Sequence, residues 1–266
     1  MYPILFQSQH ITIYTLWLFV TVGILVSGYY FSKVAVKNKL KLEFIVDKSI
    51  TLLVTTIISA RLFFIFFNFN SYFYEFSFGS FLNIFYIWDK GLYFWPGLLV
   101  GILAFAFMCQ KEKENFFKWT DIVTVTIFGG LTFFYIGAFF EGIKYGRETS
   151  LPIGVTFESA TVQYNIPIHP TQIYTAIICL LLAIGLHIVL KKQRGTDNYG
   201  FVSLLGAALW SLWYFLEGFL RGDDTVLLGT YRFPQFVSLL FFLASIIFIY
   251  LKFFNNKRIK IFSSKE

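Results

Sequence analysis

Two charged side chains stand inside runs that would otherwise suit hydrocarbon. Arg61 lies in ISARLFFIFF and Glu217 in LWSLWYFLEGFLRGDD, one helical turn ahead of Arg221. A charge held within a bilayer marks a substrate pocket, an ion path or an opposite charge to pair with. Both residues fall toward the same side of their apolar runs. One reading is a polar hollow that holds a charged headgroup. The other, from the same residues, is a buried Arg–Glu pair joining two helices, or an arginine that snorkels to the interface.

A second group comes from the most polar stretch of the chain, GIKYGRETSLPIGVTFESATVQYNIPIHPTQ, within a loop at about 141–171. It supplies Glu141, Lys144, Arg147, Glu148 and His169. The guanidinium forks of Arg147 and Arg221 suit two-point hydrogen bonding to phosphate. At a water–lipid boundary the obvious phosphate is a phospholipid headgroup. His169 titrates near neutral pH by type and can serve as a base, or it simply bonds a helix end. Pro170 is expected at the first helical position. Thr171 and Gln172 would then lie in a first turn whose free N–H groups attract an anion. Gly137, Gly142 and Gly146 allow close backbone packing and tight turns.

The rest of the sequence dictates what must position these groups. Hydrophobic residues make up 57% of the 266 and charged residues 14%, too few charges to coat a soluble surface. Apolar runs fall near 11–32, 49–70, 92–108, 120–140, 172–190, 199–220 and 233–251. Each is about the 20 residues a bilayer-spanning helix needs, although the Gly/Pro-marked third is short. The expected fold is an all-α polytopic membrane protein of seven transmembrane helices, forming a single integral membrane domain over 1–266. The start, MYPILFQSQH, has no Lys or Arg ahead of the first run, so the first span is expected to be permanent.

The formal net charge of +7 invites a nucleic-acid reading, but its placement argues against one. Sixteen Lys and Arg residues fall on one side of the alternating spans and five on the other. By the positive-inside rule the N-terminus is outside and the C-terminus cytoplasmic. The loop at about 141–171 is then on the outer face. So is an aromatic loop at about 71–91 carrying Tyr72, Phe73, Tyr74, Phe76 and Phe78. The basic residues act as a topology signal and attract anionic membrane lipid, and no nucleic acid is expected. Cys109 and Cys179 have no metal-like spacing, so neither a disulfide framework nor a metal site is expected, and no cofactor.

The chain resembles the prolipoprotein diacylglyceryl transferases of bacteria. SARLFFIFFN (59–68), GLYFWPGLLVG (91–101), YIGAFFEGIKYGRETSLPIGVTF (135–157), IHPTQIY (168–174), LWSLWYFLEGFLRGDD (209–224) and LGTYRFPQFVSL (228–239) carry the resemblance in this order. It implies seven spans in the bacterial plasma (inner) membrane, with the site on the outer side. It implies transfer of diacylglyceryl from phosphatidylglycerol to the cysteine of lipoprotein precursors. Arg61, Gly137, Gly146, His169, Pro170, Gln172, Tyr174, Arg221, Gly222 and Asp223 match the family pattern. Trp95 stands where the family has a histidine, Tyr135 and Tyr214 where it has arginines, and Ala138 where it has asparagine. The family's glutamate after the second arginine falls at Gly218, with Glu217 one residue early.

Tyr offers one hydrogen bond and no charge in place of guanidinium. Under the resemblance His169 is the expected base, Arg61, Arg147 and Arg221 hold the phosphate, and Glu217 orients an arginine. The rewritten positions also admit a catalytically inactive relative that binds lipid or precursor. A transporter or retinal protein is disfavoured. Span seven has no mid-membrane lysine, and paired broken helices are not evident.

Overall fold

Seven apolar runs become seven α-helices in the computed structural model, which describes residues 3–9, 11–69, 91–157 and 166–254. They are α1 (Thr15–Lys37), α2 (Leu42–Phe67), α3 (Phe94–Lys111), α4 (Phe116–Glu141), α5 (Thr171–Lys192), α6 (Phe201–Glu217) and α7 (Phe233–Ile249). A π-helical turn, Tyr250–Phe254, extends α7. The aromatic loop expected at 71–91 lies outside the described residues up to position 90. Two short antiparallel ribbons were not expected: β1 (Ile4–Gln7) with β2 (Thr12–Tyr14), and β3 (Leu227–Leu228) with β4 (Tyr231–Arg232). Each precedes a helix, and each is too short for its alternation to stand out from the apolar run beside it.

Among the described residues five helices are long and apolar enough to cross a membrane: α1, α2, α4, α5 and α7 with its π turn. α6 has 17 residues, about 25 Å at 1.5 Å per residue, somewhat less than a hydrocarbon core. Large apolar side chains point outward, with Ile50 74% and Phe66 72% exposed. In water that would be a liability, and in lipid it is the expected surface. The chain is a multi-pass membrane protein.

The helices run past the apolar runs at their basic ends. Lys33 and Lys37 belong to α1 and Lys48 to α2, so the first connection is only 38–41 rather than the loop expected there. Long lysine stems let a helix continue while the ammonium reaches polar surroundings.

The described residues form two compact units. Residues 39–116 make one, the α2–α3 hairpin. Its helices approach closely because Gly97 and Gly101 face Ala60 and Thr56, where an added Cβ would come within 2.7 Å and 2.5 Å. Lys48 pairs with Glu112 at 3.0 Å.

Residues 1–38 and 117–266 make the other. Here α4, α5 and α6 surround a core that includes Ile122, Val125, Phe128, Leu186 and Val202. At the start of α6 the buried carboxylate of Asp121 accepts from the N–H groups of Gly200 and Ser203, both at 2.7 Å. Gly200 has φ 94°, which no residue with a Cβ adopts cheaply. Lys252 of the π turn donates to Tyr199 O at 2.8 Å and lies over the Phe117 ring.

Candidate functional site

Three segments of the larger unit converge at the far end of α4 and α6. They are the chain leaving α4 (143–149), the chain entering α5 (166–172) and the chain leaving α6 (217–223). Gly142 closes α4 in the left-handed conformation, φ 76°. Backbone bonds then stitch the segments. Arg147 N–H donates to Leu220 O at 2.7 Å, Gly222 N–H to Tyr145 O at 3.0 Å, and His169 N–H to Arg147 O at 2.9 Å. The seam is glycine-dependent. A Cβ on Gly146 would lie 2.5 Å from His169 O, and one on Gly222 would lie 2.5 Å from Gly146 O.

α5 starts differently from expectation. Pro170 is the N-cap, and the helix begins at Thr171. The Thr171 N–H donates to His169 O, and the Ile173 N–H to Pro170 O. Side chains add to this: Thr171 Oγ1 donates to Lys144 O at 2.7 Å and Gln172 Nε2 to Ile143 O at 2.8 Å. The first turn therefore ties the loop down, and two of the N–H groups expected to attract an anion are already in use. His169 Nδ1 is 3.4 Å from Tyr174 Oη.

Beyond the seam lies a cavity of about 470 Å³ lined by Arg147, Arg221, Arg232, Glu148, Asp223 and their neighbours. Arg221 forks onto Asp223, with Nε at 2.9 Å from Oδ1 and Nη2 on Oδ2. Arg232 donates to the same carboxylate at 2.7 Å, to Asp223 O, and to Arg221 O at 3.0 Å. Arg147 Nε donates to that same Arg221 O at 3.1 Å. Its two terminal nitrogens have no partner among the described residues, and the side chain is exposed. Burial opposes the charge on Arg221, but the hydrogen-bonded Asp223 outweighs it and holds this guanidinium above its ordinary value. Burial pushes Arg232 the other way, with Asp223 opposing.

A second cavity of about 150 Å³ shares Arg221, Asp223, Asp224, Thr225 and Arg232 with the first and adds Tyr214, Gly218, Pro234 and Gln235. Behind it the chain is aromatic and buried. Trp210 packs between Tyr135 and Tyr214, ring centroids 6.2 Å and 6.1 Å away. The two phenols thus occupy an aromatic stack, and Ala138 is fully buried in the same helix as Tyr135. Glu217 is 1% exposed, and neither carboxylate oxygen has a hydrogen bond of normal geometry. Thr175, Lys144, Arg221 and Asp223 are its polar neighbours. Lys144 stands in the left-handed region, φ 58°, uncommon for a residue with a Cβ. Burial pushes its ammonium below the ordinary lysine range. The Arg221 charge acts the same way, and Glu217 and Asp223 oppose.

Arg147, His169, Tyr214, Glu217, Arg221 and Tyr135 are therefore brought to one end of the larger unit. Among the described residues Glu217 forms no ion pair with an arginine, and it is Asp223 that forks onto Arg221. Arg61 and Trp95 belong to the other unit. There Arg61 is buried, donates to Gly91 O at 3.1 Å and lies 5.7 Å from the Phe64 ring. Trp95 falls in the first turn of α3, and its side-chain surroundings lie outside the described structure. Arg232 was missed as a site residue. Its signal was an arginine beside a Pro-marked helix start, in the same segment that carried the resemblance. Among the described residues no three His, Cys, Asp or Glu side chains gather as a metal site would require.

Comparison with known proteins gives a consistent result. The sequence model described as prolipoprotein diacylglyceryl transferase matches residues 3–251. A protein of Prochlorococcus marinus (strain MIT 9215) is 28% identical over 276 residues, covering 94% of this chain and 93% of its own length. One of Geobacter sulfurreducens is 27% identical over 252 residues, covering 91% of each. One of Clostridium botulinum (strain Langeland) is 32% identical over 205 residues, covering 74% of this chain and 75% of its own. All three are named phosphatidylglycerol–prolipoprotein diacylglyceryl transferase.

Proposed function

The chain belongs to the prolipoprotein diacylglyceryl transferase family, and from that premise we propose that it moves diacylglyceryl from phosphatidylglycerol to the cysteine thiol of a lipoprotein precursor. The observation that carries the proposal is the convergence of Arg147, Arg221 and Arg232 on one cavity beside His169. The site works in the plasma (inner) membrane of a bacterium and faces its outer side, with the basic helix ends toward the cytoplasm.

In the reaction the thiol sulfur attacks the glyceryl carbon that bears the phosphoester. The C–O bond breaks, and glycerol phosphate leaves with the bonding pair. Arg147 offers an uncommitted fork to the phosphate, and Arg221 is held ready by Asp223. Guanidiniums placed where charge collects on the leaving group stabilise it. His169 takes the thiol proton, its imidazole being partly exposed and only loosely engaged by Tyr174. Glu217 lies behind the headgroup wall. Arg61 is proposed as a headgroup-binding residue from its motif alone.

The test is formation of the thioether product on a lipobox peptide, read by mass spectrometry, with phosphatidylglycerol as donor. Arg147→Ala should lower the rate about tenfold or more, the usual cost of a lost charge-assisted contact. A wild-type protein that gives no product, yet binds the lipid, is the inactive relative instead.

A further inference from the structure

A second gathering of cations lies where α1 and α5 end and α4 begins, at the opposite ends of α4 and α5 from the arginine cavity. Tyr30 Oη and His187 Nδ1 are hydrogen-bonded at 2.6 Å and join α1 to α5. Beyond them Arg194 Nε donates to Asn38 Oδ1 at 3.2 Å. Lys37, Lys191 and Arg194 all lie close enough to His187 for their charges to act on it. None of the three forms an ion pair among the described residues. Like charges gathered without a counter-ion repel, and an anion recovers that cost. Beside them Asn38, Arg194 and Lys118 line a notch of about 20 Å³, room for about one water-sized group. Gln193 and Tyr199 line it too, with Lys118 lying 5.6 Å from the centre of the Tyr199 ring. Gln193 is buried, and its Oε1 has no hydrogen-bond partner among the described residues. The terminal nitrogens of Arg194 have none there either. Asp121 forms part of the wall, but Gly200 and Ser203 donate to its oxygens and Lys252 offsets its charge. The site thus calls for an anion for its cations and a hydrogen-bond donor for Gln193.

We propose that this notch is a second phospholipid site, for an anionic headgroup that carries hydroxyls, in the leaflet away from the reaction. A phosphate oxygen enters between Arg194 and Lys118, and a headgroup hydroxyl donates to Gln193 Oε1. Lys37 and Lys191, chain neighbours of Asn38 and Leu190 in the wall, meet the rest of the charge. The acyl chains meet exposed apolar side chains of the same two helices, Val36 and Ile188 among them. Basic pockets between spanning helices suit anionic headgroups in this way. A zwitterionic headgroup would bring its own cation into a positive field. An anion without a hydroxyl would leave Gln193 unserved. The site does not depend on the transferase reading, since none of its residues belongs to the arginine cavity.

The test is direct lipid binding, read by native mass spectrometry of the purified full chain in one detergent. Arg147→Ala weakens the reaction cavity, so the lipid that still binds reports the second site. Short-chain phosphatidylglycerol, phosphatidylmethanol and phosphatidylcholine are offered separately, and soluble glycerol phosphate in competition. In that background phosphatidylglycerol should bind about tenfold or more tighter than zwitterionic phosphatidylcholine. It should exceed phosphatidylmethanol, which has the charge but no hydroxyl, by about fivefold, the worth of one neutral hydrogen bond. Adding Lys118→Gln and Arg194→Gln should weaken phosphatidylglycerol about tenfold or more. With Arg147 intact, the same two changes should leave thioether formation within about twofold, because the sites are far apart. Phosphatidylcholine binding as tightly as phosphatidylglycerol, or phosphatidylglycerol binding unchanged by the two glutamines, overturns the inference. Displacement by glycerol phosphate at the lipid's own concentration overturns the assignment to a lipid. The second lipid bound to the wild type decides the preferences even if a variant does not fold.

Discussion

Asp121 and Glu217 are two carboxylates with the same burial and opposite fates. Each is 1% exposed, and they lie near opposite ends of the α4–α6 layer. Asp121 accepts two backbone N–H bonds at 2.7 Å and fixes the left-handed turn at Gly200 from which α6 starts. Glu217 closes the same helix and accepts none of normal geometry. The Glu217 end is held instead by the backbone seam around Gly146 and Gly222, and by Asp223 between two arginines. A carboxylate that builds the fold is saturated by the fold. One left unsaturated is either a burden or a tool.

The largest effect expected from this contrast is at Asp121. Asp121→Ala leaves two buried N–H groups without acceptors and frees the Gly200 turn. The loss should be about 3–5 kcal/mol, the range for stripping a partner from a buried charged network. Thermal unfolding in detergent measures it, with Asp121→Asn losing less because one acceptor survives. A loss below about 1 kcal/mol would mean that α6 does not depend on this cap, and the contrast would collapse from its structural side.

Next comes Arg232, which sharpens the contrast from the other end. Arg232→Ala removes the bonds to Asp223 and to Arg221 O. Asp223 then keeps one guanidinium instead of two, and Arg221 O keeps only its bond from Arg147. Transfer to a lipobox peptide should fall about tenfold to a hundredfold, consistent with about 1.5–3 kcal/mol for charge-assisted contacts. Arg232→Lys should recover little, since an ammonium cannot reproduce the fork. Equal activity of the two variants and the wild type would reduce Arg232 to a helix-start residue.

The helices were legible because hydrophobic runs need no tertiary context. Five of the seven lie within a few residues of the expected spans, while α1 and α2 run on through basic ends that hydropathy assigns to a loop. Lys33, Lys37 and Lys48 are polar by type yet helical by position, and hydropathy cannot separate the two. The site was legible in parts. Arg147, His169 and Arg221 were named from residue type and loop polarity, and they do converge. Arg232 was not, because its role comes from Asp223, nine residues earlier across a two-strand ribbon. Spacing puts Glu217 one turn before Arg221, but the chain turns out of the helix there and Arg221 forks onto Asp223 instead. Pro170 was displaced by one position, and that shift turned an expected anion site into a hydrogen-bonded clamp.

The smallest effect is the one the contrast depends on most. Glu217→Gln keeps the shape of the side chain and removes its charge. If Glu217 is unsatisfied, nothing that stabilises the protein is lost, and the cost of burying a carboxylate goes with it. The melting temperature of the ligand-free protein should therefore stay level or rise, by no more than about 1–2 kcal/mol in stability. Asp121→Asn in the same background should still destabilise, because its acceptors are in use. A fall of more than about 1 kcal/mol for Glu217→Gln would reveal a partner that stabilises the carboxylate in the folded chain. Glu217 would then be a second Asp121, a group that holds α6 in place and waits for no ligand.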